Sequence, residues 1–564
     1  MNLKLNSVTR TIFLLFIALL LQPSALFAQT EKGIDDRINE AFKPISDFFS
    51  QLVFFELGGN PFVIYLLVGG AVFFTLYFGF INLRYFRSAV NVVRGKYDDL
   101  DKQEDTDKDA DASEQGEVSH FQALATAVSG TVGNGNIAGV AFAIALGGPG
   151  ATFWMIVCGL LGMSTKFVEC TLGVRYRDVD NGKVYGGPMY YLKKGLAERN
   201  LKRLGSVLAV IFAICCIGGS FGGGNAAQSN QATIVVKQLL SLESTSSGAI
   251  IGLVMAALVG LIIIGGIKRI ASVTEKIVPF MALLYFVACS YILIVNVNFI
   301  DDAFRLILNE AFNPKAIGVG GVIGVLMVGF KRAAFSNEAG AGSASIAHSA
   351  VKTKYPASEG LVSLLEPFID TVVICTMTAL VIITFNNSDS SNQEFTYGDM
   401  TKFENVEHLD IDDDGEKEYV MQITDASGSK EYQKVKGKVL IDGKLEEGAG
   451  ITQKAFAKYI PFSEIFLTLA VFLFAISTMI SWSYYGLQSW KFLFGRGKYA
   501  DIVYKLLFLV FVVIGSAASM DSIWAFSDAM IFAMVFPNMI GLFILAPVVR
   551  KELTSYIQKI KEKG

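Results

Sequence analysis

Ser129-Gly-Thr-Val-Gly-Asn-Gly-Asn136 lies within an apolar run from about Ala123 to Ala145, long enough to cross a bilayer. Glycine and asparagine are poor helix formers, so this run predicts a helix that opens near Gly133 and Gly135. Open backbone at membrane depth is tolerated only where it is buried in protein or lines a cavity. The break is therefore a candidate binding site. About two hundred residues on, Gly329-Phe-Lys-Arg-Ala-Ala-Phe-Ser-Asn-Glu-Ala-Gly-Ala-Gly342 repeats the pattern. Paired interruptions in two halves of a chain point to a transporter's substrate site.

Composition agrees. The 564 residues are 52% hydrophobic and 18% charged, where a soluble chain is usually near a quarter charged. Mean hydropathy is +0.47. A net charge of -3 gives no footprint for a nucleic-acid partner. All six cysteines fall in apolar runs and read as small core residues without disulfides.

Residues 1–28 have the form of a secretory signal: Lys4 and Arg10, an apolar core Ile12–Leu21, then Ala25-Leu-Phe-Ala28. An uncleaved first helix is the alternative. Residues 29–60 follow as an extracytoplasmic segment. Eleven spans are predicted, near 61–83, 121–146, 149–172, 206–240, 247–265, 274–297, 316–349, 361–385, 462–483, 502–520 and 523–548. Lys and Arg collect in alternate loops, including 84–96, 175–203, Lys268-Arg269 and the tail from 549 to 564. The positive-inside rule then predicts the N-terminus outside and the C-terminus cytoplasmic. Asp98–Glu117, within an acidic linker at 84–120, reads as a solvated cytoplasmic stretch, and 298–315 as an outer connector. An insertion at 386–461 breaks the membrane pattern. Tyr419–Thr424 and Val435–Ile441 alternate like strands, and Asp442-Gly443 is a hairpin turn signal, so it predicts a small β-rich extracytoplasmic domain.

Three motifs fail in context. Gly133-Asn-Gly-Asn-Ile-Ala138 fits a dinucleotide fingerprint but lies inside a span instead of a βαβ unit. Gly218-Gly-Ser-Phe-Gly222 fits a nucleophile elbow without the strand–turn–helix setting. Asp410-Ile-Asp-Asp-Asp-Gly415 opens like a calcium loop, yet its twelfth position is Met421. No nucleophile–base or metal set stands at membrane depth, so the expectation is not an enzyme.

A helix break exposes N–H groups and a positive dipole end, which suit a carboxylate. The amides of Asn134 and Gly135 and the side chain of Asn136 are the natural donors, and Gly133 lets a ligand approach the backbone. Free carbonyls near Ser129 and Val132, with the hydroxyls of Ser477 and Thr478, suit a hard cation such as sodium. Packing of small residues is the competing role for that pair. For a substrate amine, carbonyls freed near Gly329 and Phe330 and the amide oxygen of Gln228 are candidate acceptors, helix–helix bonding being the alternative for Gln228. Lys331, Arg332 and Glu338 either act at the site or pair with one another as a gate. Lys166, Glu169, Glu366 and Asp370 fall toward the cytoplasmic ends of their spans.

The chain resembles the alanine or glycine:cation symporter family, the bacterial and archaeal sodium:alanine symporters. The resemblance rests on Ser129–Val140, Gly147-Gly-Pro-Gly150, Gly186-Gly-Pro-Met-Tyr-Tyr191, Gly265-Gly-Ile-Lys-Arg-Ile270 and Phe335-Ser-Asn-Glu-Ala-Gly340. It implies an all-α integral membrane protein of LeuT type, with inverted five-helix repeats at 121–297 and 316–548 and one extra helix before them. It implies that Asn136, Gly135, Gln228 and Phe330 meet a small amino acid. It also implies a sodium site from carbonyls of Ser129 and Val132 with the hydroxyls of Ser477 and Thr478. Many members carry threonine where Asn134 stands, and the insertion is outside the common core, open to a partner or regulator.

The expected function is sodium-coupled import of alanine or glycine across a bacterial inner membrane. Proton coupling through Glu338 is the nearest alternative within transporters. A channel is the alternative outside them, separated by saturable, concentrative uptake.

Overall fold

In the computed structural model the described residues are 34–102, 116–242, 244, 246–313, 321–387, 406–409, 418–424, 430–435, 437–441, 444–518 and 520–563. The expected signal at 1–28, residues 103–115 of the acidic linker, the Asp410–Gly415 turn and Asp442-Gly443 lie outside them.

Seven described helices are long and apolar enough to cross a membrane: Gly150–Arg175, Lys202–Leu240, Gly266–Val295, Pro356–Asn386, Ser463–Phe494, Lys498–Ala517 and Ser522–Glu562. The other four expected spans fall on helices that are short or broken. Phe62–Tyr77 and Ser247–Ile263 are short. The stretch 121–146 is cut into His120–Thr131, a 3-10 turn Asn134–Asn136 and Ala138–Gly147. The stretch 316–349 is cut into Gly321–Asn337 and Ala344–His348.

The elements around these breaks are labelled α1 (Phe62–Tyr77), α2 (His120–Thr131), α3 (Ala138–Gly147), α4 (Gly150–Arg175), α5 (Ala227–Leu240), α6 (Gly266–Val295), α7 (Gly321–Asn337), α8 (Ala344–His348), α9 (Pro356–Ser363), α10 (Ala449–Ala457), α11 (Ser463–Phe494) and α12 (Met520–Lys563). Ser119 starts α2 with a capping box: its hydroxyl accepts from the Gln122 amide at 3.2 Å, and its own amide donates to the Gln122 side chain at 3.1 Å. α4 is the central helix, packing on α7, α8 and α9, while α2 packs on α6 and α11. The periphery is apolar. Ile250, Leu253, Leu261, Phe280, Leu283 and Ile294 are each more than half exposed, as side chains facing lipid are. Polar groups are turned inward, where each needs a protein partner.

Gly329 and Phe330 lie in the unbroken part of α7, which corrects the expectation that their carbonyls are free. Gly329 serves packing. A Cβ there would stand 2.6 Å from the Ala151 carbonyl oxygen and 2.7 Å from the Trp154 Cβ on α4. Gly329→Ala is therefore expected to destabilise the protein by about 1–3 kcal/mol through overpacking. A lower Tm in detergent with unchanged apparent sodium affinity is the expected reading.

In the insertion, strands Val406–Leu409, Glu418–Thr424 and Lys430–Lys434 form an antiparallel sheet in that order, and Lys438–Ile441 pairs with Lys444–Glu447. Val435–Ile441 is not one strand. The Lys438 amide donates to the Val435 carbonyl at 2.9 Å across a turn in which Gly437 has φ +78°. A Cβ at Gly437 would meet the Phe142 ring at 2.5 Å, and Thr452 on α10 donates to the Ile137 carbonyl at 3.2 Å. The insertion thus rests on α3, directly after the first break.

Away from the breaks, an open groove of about 330 Å³ lies among Asp178, Tyr190, Lys193, Lys194, Lys491 and Arg496. Burial pushes the Asp178 carboxyl up, but Lys194 and then Arg496 outweigh it and hold it below the usual carboxylate range.

Candidate functional site

At the first break, i to i−4 bonding fails in a defined way. The Gly133 amide donates to Asn136 Oδ1 at 2.8 Å, leaving the Ser129 carbonyl without its helical partner. The Asn134 amide donates to Gln228 Oε1 at 3.0 Å in place of the Gly130 carbonyl. The Asn136 amide donates to the Gly133 carbonyl at 3.1 Å in place of that of Val132. Three carbonyls at the end of α2 are thereby released from the helix.

Thr478 on α11 faces this opening. A Cβ at Gly133 would stand 2.5 Å from Thr478 Oγ1 and 3.0 Å from Gln228 Oε1. The Thr478 hydroxyl is buried and has no hydrogen-bond partner. Ser477 differs. Its hydroxyl donates to the Phe474 carbonyl at 2.9 Å, and its carbonyl accepts from Ser129 Oγ at 2.7 Å. An unpaired buried hydroxyl beside released carbonyls is a donor set fit for a hard cation.

The second break follows α7, at Glu338–Ser343. Glu338, Gly340 and Gly342 have φ of 54°, 98° and 88°. At Gly340 a Cβ would also stand 2.4 Å from Leu67 Cδ2, so only glycine fits that turn. The Gly340 amide donates to Glu169 Oε1 at 2.9 Å, and its carbonyl accepts from Asn538 at 2.9 Å. Glu338 accepts from Trp482 Nε1 at 3.0 Å and from the Ser343 hydroxyl.

Asp370 joins the two breaks. It sits in a π-helical turn, Phe368–Cys375, completely buried. Its carboxylate accepts from Asn136 Nδ2 at 2.6 Å, Ser336 Oγ at 3.0 Å and Thr371 Oγ1 at 2.6 Å. The Asn136 side chain, expected to meet a ligand, is held within this frame: its oxygen accepts from the Gly133 amide and its nitrogen donates to Asp370. Gln228 is likewise engaged, its nitrogen donating to the Gly223 carbonyl at 2.9 Å and its oxygen accepting from Asn134.

A cavity with about 220 Å³ of empty space lies between the breaks. Among residues expected at the site, Gly135, Gln228 and Thr478 line it; Gly133, Asn134 and Asn136 stand behind as its frame, and Phe330 is not part of its wall. Phe335, Ser336, Glu338 and Trp482 line it as well. Trp482 carries no sequence signal among so many aromatics, whereas Phe335 opens the Phe335–Gly340 stretch. An acid at membrane depth does mark Asp370. The cavity has room for about one water.

Lys331 and Arg332 pair with Asp528 on α12, at 3.0 and 2.5 Å, and not with Glu338. Arg332 also lies over the rings of Phe142 and Trp524. Lys166, Glu169, Glu359 and Glu366 are fully buried.

A family model described as the sodium:alanine symporter family matches residues 45–407 and 435–564. The sodium/alanine symporter AgcS of Methanococcus maripaludis is 36% identical over 499 residues, covering 88% of this chain and 94% of that protein. The amino-acid carrier protein AlsT of Bacillus subtilis is 30% identical over 503 residues, covering 89% and 90%. Among solved structures, MhsT in complex with L-phenylalanine is 13% identical, with a TM-score of 0.43, over 78% of this chain and 99% of that one.

Proposed function

This chain belongs to the sodium:alanine symporter family, and we propose that it imports alanine or glycine together with sodium by alternating access. The observation that carries the coupling is the unpartnered Thr478 hydroxyl facing the end of α2, where the Ser129 and Val132 carbonyls are released. Sodium held by these groups and Ser477 would order the break, and the ordered Gly133–Asn136 turn would receive the amino-acid carboxylate. The released Gly130 carbonyl and the Glu338 carboxylate are the acceptors for the amine. Sodium and amino acid must then raise each other's affinity by the same factor.

The repeats are 121–297 and 316–548, inverted and LeuT-like, preceded by the helix at 61–83. The two breaks at the start of each repeat support this division. The basic loops support a cytoplasmic C-terminal end for α12 and an extracytoplasmic 386–461 insertion, in a bacterial inner membrane. Outward opening would part Arg332 from Asp528, and inward opening would part the contacts around Glu359.

Proton coupling through Glu338 is the second reading, because Glu338 lines the cavity. Purified protein in proteoliposomes distinguishes them. Radiolabelled alanine should accumulate under an imposed inward sodium gradient and remain near background under a matched proton gradient without sodium. Accumulation driven by protons alone would move the coupling site to Glu338. No alanine uptake under either gradient would overturn the substrate assignment.

A further inference from the structure

The open groove beside Arg496 is separate from the cavity between the breaks, and the two share no lining residue. Its walls come from three parts of the chain. Lys491 and Arg496 belong to the end of α11 and the turn after it. Asp178 belongs to a hairpin of strands Asp178–Asp180 and Lys183–Tyr185, and Tyr190, Lys193 and Lys194 to the helix Pro188–Glu198. The Arg496 guanidinium is held in place: one terminal nitrogen donates to Asp180 and the other to Asp178, each at 3.0 Å, and its carbon lies 3.9 Å from the centre of the Tyr185 ring. A guanidinium carries five N–H donors, more than these two carboxylates and the Tyr190 hydroxyl occupy. Lys194 pairs with Asp178, and Lys491 with Asp501 at 2.8 Å. Lys193 differs. It is exposed, its ammonium stands 5.4 Å from the centre of the Phe492 ring, and among the described residues no carboxylate pairs with it.

Four cations and one carboxylate line the groove. Asp180 and Asp501 pair with these cations from outside it, which leaves one positive charge in excess. Lys505, 2.7 Å from Asp501, raises the excess to two. The carboxylates therefore fix the cations in place without neutralising them. The surroundings decide which anion fits. The helix Lys202–Phe221, packed on Pro188–Glu198, passes from exposed Lys202 and Arg203 to exposed Leu204 and Val207. The helix Lys498–Ala517, packed on α11, passes from exposed Lys498 to exposed Leu506 and Val510, and Tyr499 near its start is 87% exposed. Charge at the helix end, apolar side chains a turn further on and a tyrosine at the boundary mark the depth of lipid headgroups. Asp501 ties the second of these helices directly to the groove through Lys491.

We propose that this groove binds the headgroup of an anionic phospholipid, with the phosphate on Lys193 and the remaining donors of Arg496. The acyl chains then lie on the apolar faces of Lys202–Phe221 and Lys498–Ala517, a surface for which a soluble anion has no use. Basic pockets between membrane helices on the cytoplasmic side suit such headgroups. The volume of about 330 Å³ is many times that of one water, so the groove takes a phosphate together with an attached polar group such as glycerol. The carboxylates of Asp178 and Asp180 set a limit on charge. They repel a doubly charged phosphate more than a singly charged one, which favours a phosphodiester over inorganic phosphate or a phosphate monoester. In the orientation proposed above, the lipid belongs to the cytoplasmic leaflet.

Native mass spectrometry of the purified full-length protein in a non-ionic detergent tests this, with phosphatidylglycerol and phosphatidylcholine of the same acyl chains titrated separately. The first phosphatidylglycerol should bind about tenfold more tightly than the first phosphatidylcholine. Lys193→Gln should weaken it about fivefold, and Lys193→Gln with Lys491→Gln about twentyfold, while phosphatidylcholine binding stays the same. Lys551→Gln on α12 removes the same charge from an exposed side chain outside the groove and should change binding less than about twofold. Equal binding of the two lipids by wild type would overturn the site. So would an equal loss in Lys193→Gln and Lys551→Gln, which would mean a diffuse attraction to the basic face. Ammonium phosphate and glycerol 3-phosphate, at an ionic strength matched with ammonium acetate, form the second arm. Displacement of the lipid by either at the lipid's own concentration would assign the groove to a soluble phosphate and overturn the lipid. Lys193 is exposed and carries no ion pair, so if the double variant loses its Tm, the single variant decides. None of these readings involves sodium or amino-acid transport, so the lipid site stands or falls apart from the proposed function.

Discussion

Asn136→Ala is expected to reduce sodium-driven alanine uptake to background. The side chain does two things that no neighbour can take over. Its oxygen satisfies the Gly133 amide at 2.8 Å, which keeps that amide from rebonding the Ser129 carbonyl and closing the helix. Its nitrogen satisfies Asp370 at 2.6 Å, which ties the first break to Ser336 beside the second. Alanine leaves a buried amide and part of a buried carboxylate unpaired, at about 1–3 kcal/mol each. Spread over binding and the transport barrier, this is a loss of about 100-fold or more, since each 1.4 kcal/mol is about tenfold. Some of the penalty falls on folding, because the contacts exist without ligand. The variant should therefore remain monodisperse in detergent with a lower Tm. Normal uptake by folded Asn136→Ala would remove the first break from the site.

That prediction also shows what was legible in the residues. Gly133, Gly135 and the asparagines beside them disfavour helix locally, so the first break could be located from Ser129–Asn136 alone. The second stretch, Gly329–Gly342, holds its break at the far end, beyond the Gly329 and Phe330 carbonyls expected to be free. Gly329 and Gly340 look alike in sequence, but one is small because α4 presses on it and the other because its φ is 98°. Propensity cannot separate those causes; only the packing partner can. Asp370 was visible as an acid in an apolar run, yet its partner Asn136 is 234 positions away, and no local pattern encodes that pairing. The same limit applies to Asp528, which takes Lys331 and Arg332 from the expected partner Glu338. Local chemistry announces where a helix will open; which distant side chain answers the opened groups is a property of the folded arrangement.

Thr478→Val separates sodium binding from stability, because the side chains match in shape and differ only in the hydroxyl. In the structure this hydroxyl bonds to nothing, so the substitution removes no hydrogen bond. It removes instead a buried unpaired polar group, which costs about 1–3 kcal/mol when left unsatisfied. Without sodium, the variant's Tm should equal or exceed that of wild type. With sodium the order should reverse. A ligand that binds the folded state stabilises it by RT ln(1 + [L]/Kd), so losing one oxygen ligand shrinks the sodium-induced rise in Tm. The half-saturating sodium concentration for alanine uptake should increase about tenfold, equivalent to about 1.4 kcal/mol. Reciprocal coupling then requires that alanine bind more weakly at a fixed sodium concentration that no longer saturates. Ser477→Ala is the internal contrast, since it breaks a 2.9 Å bond to the Phe474 carbonyl and should lower Tm even without sodium. An unchanged sodium response in Thr478→Val would mean that this hydroxyl is not a ligand, and the buried carboxylate of Asp370 would become the next position to mutate.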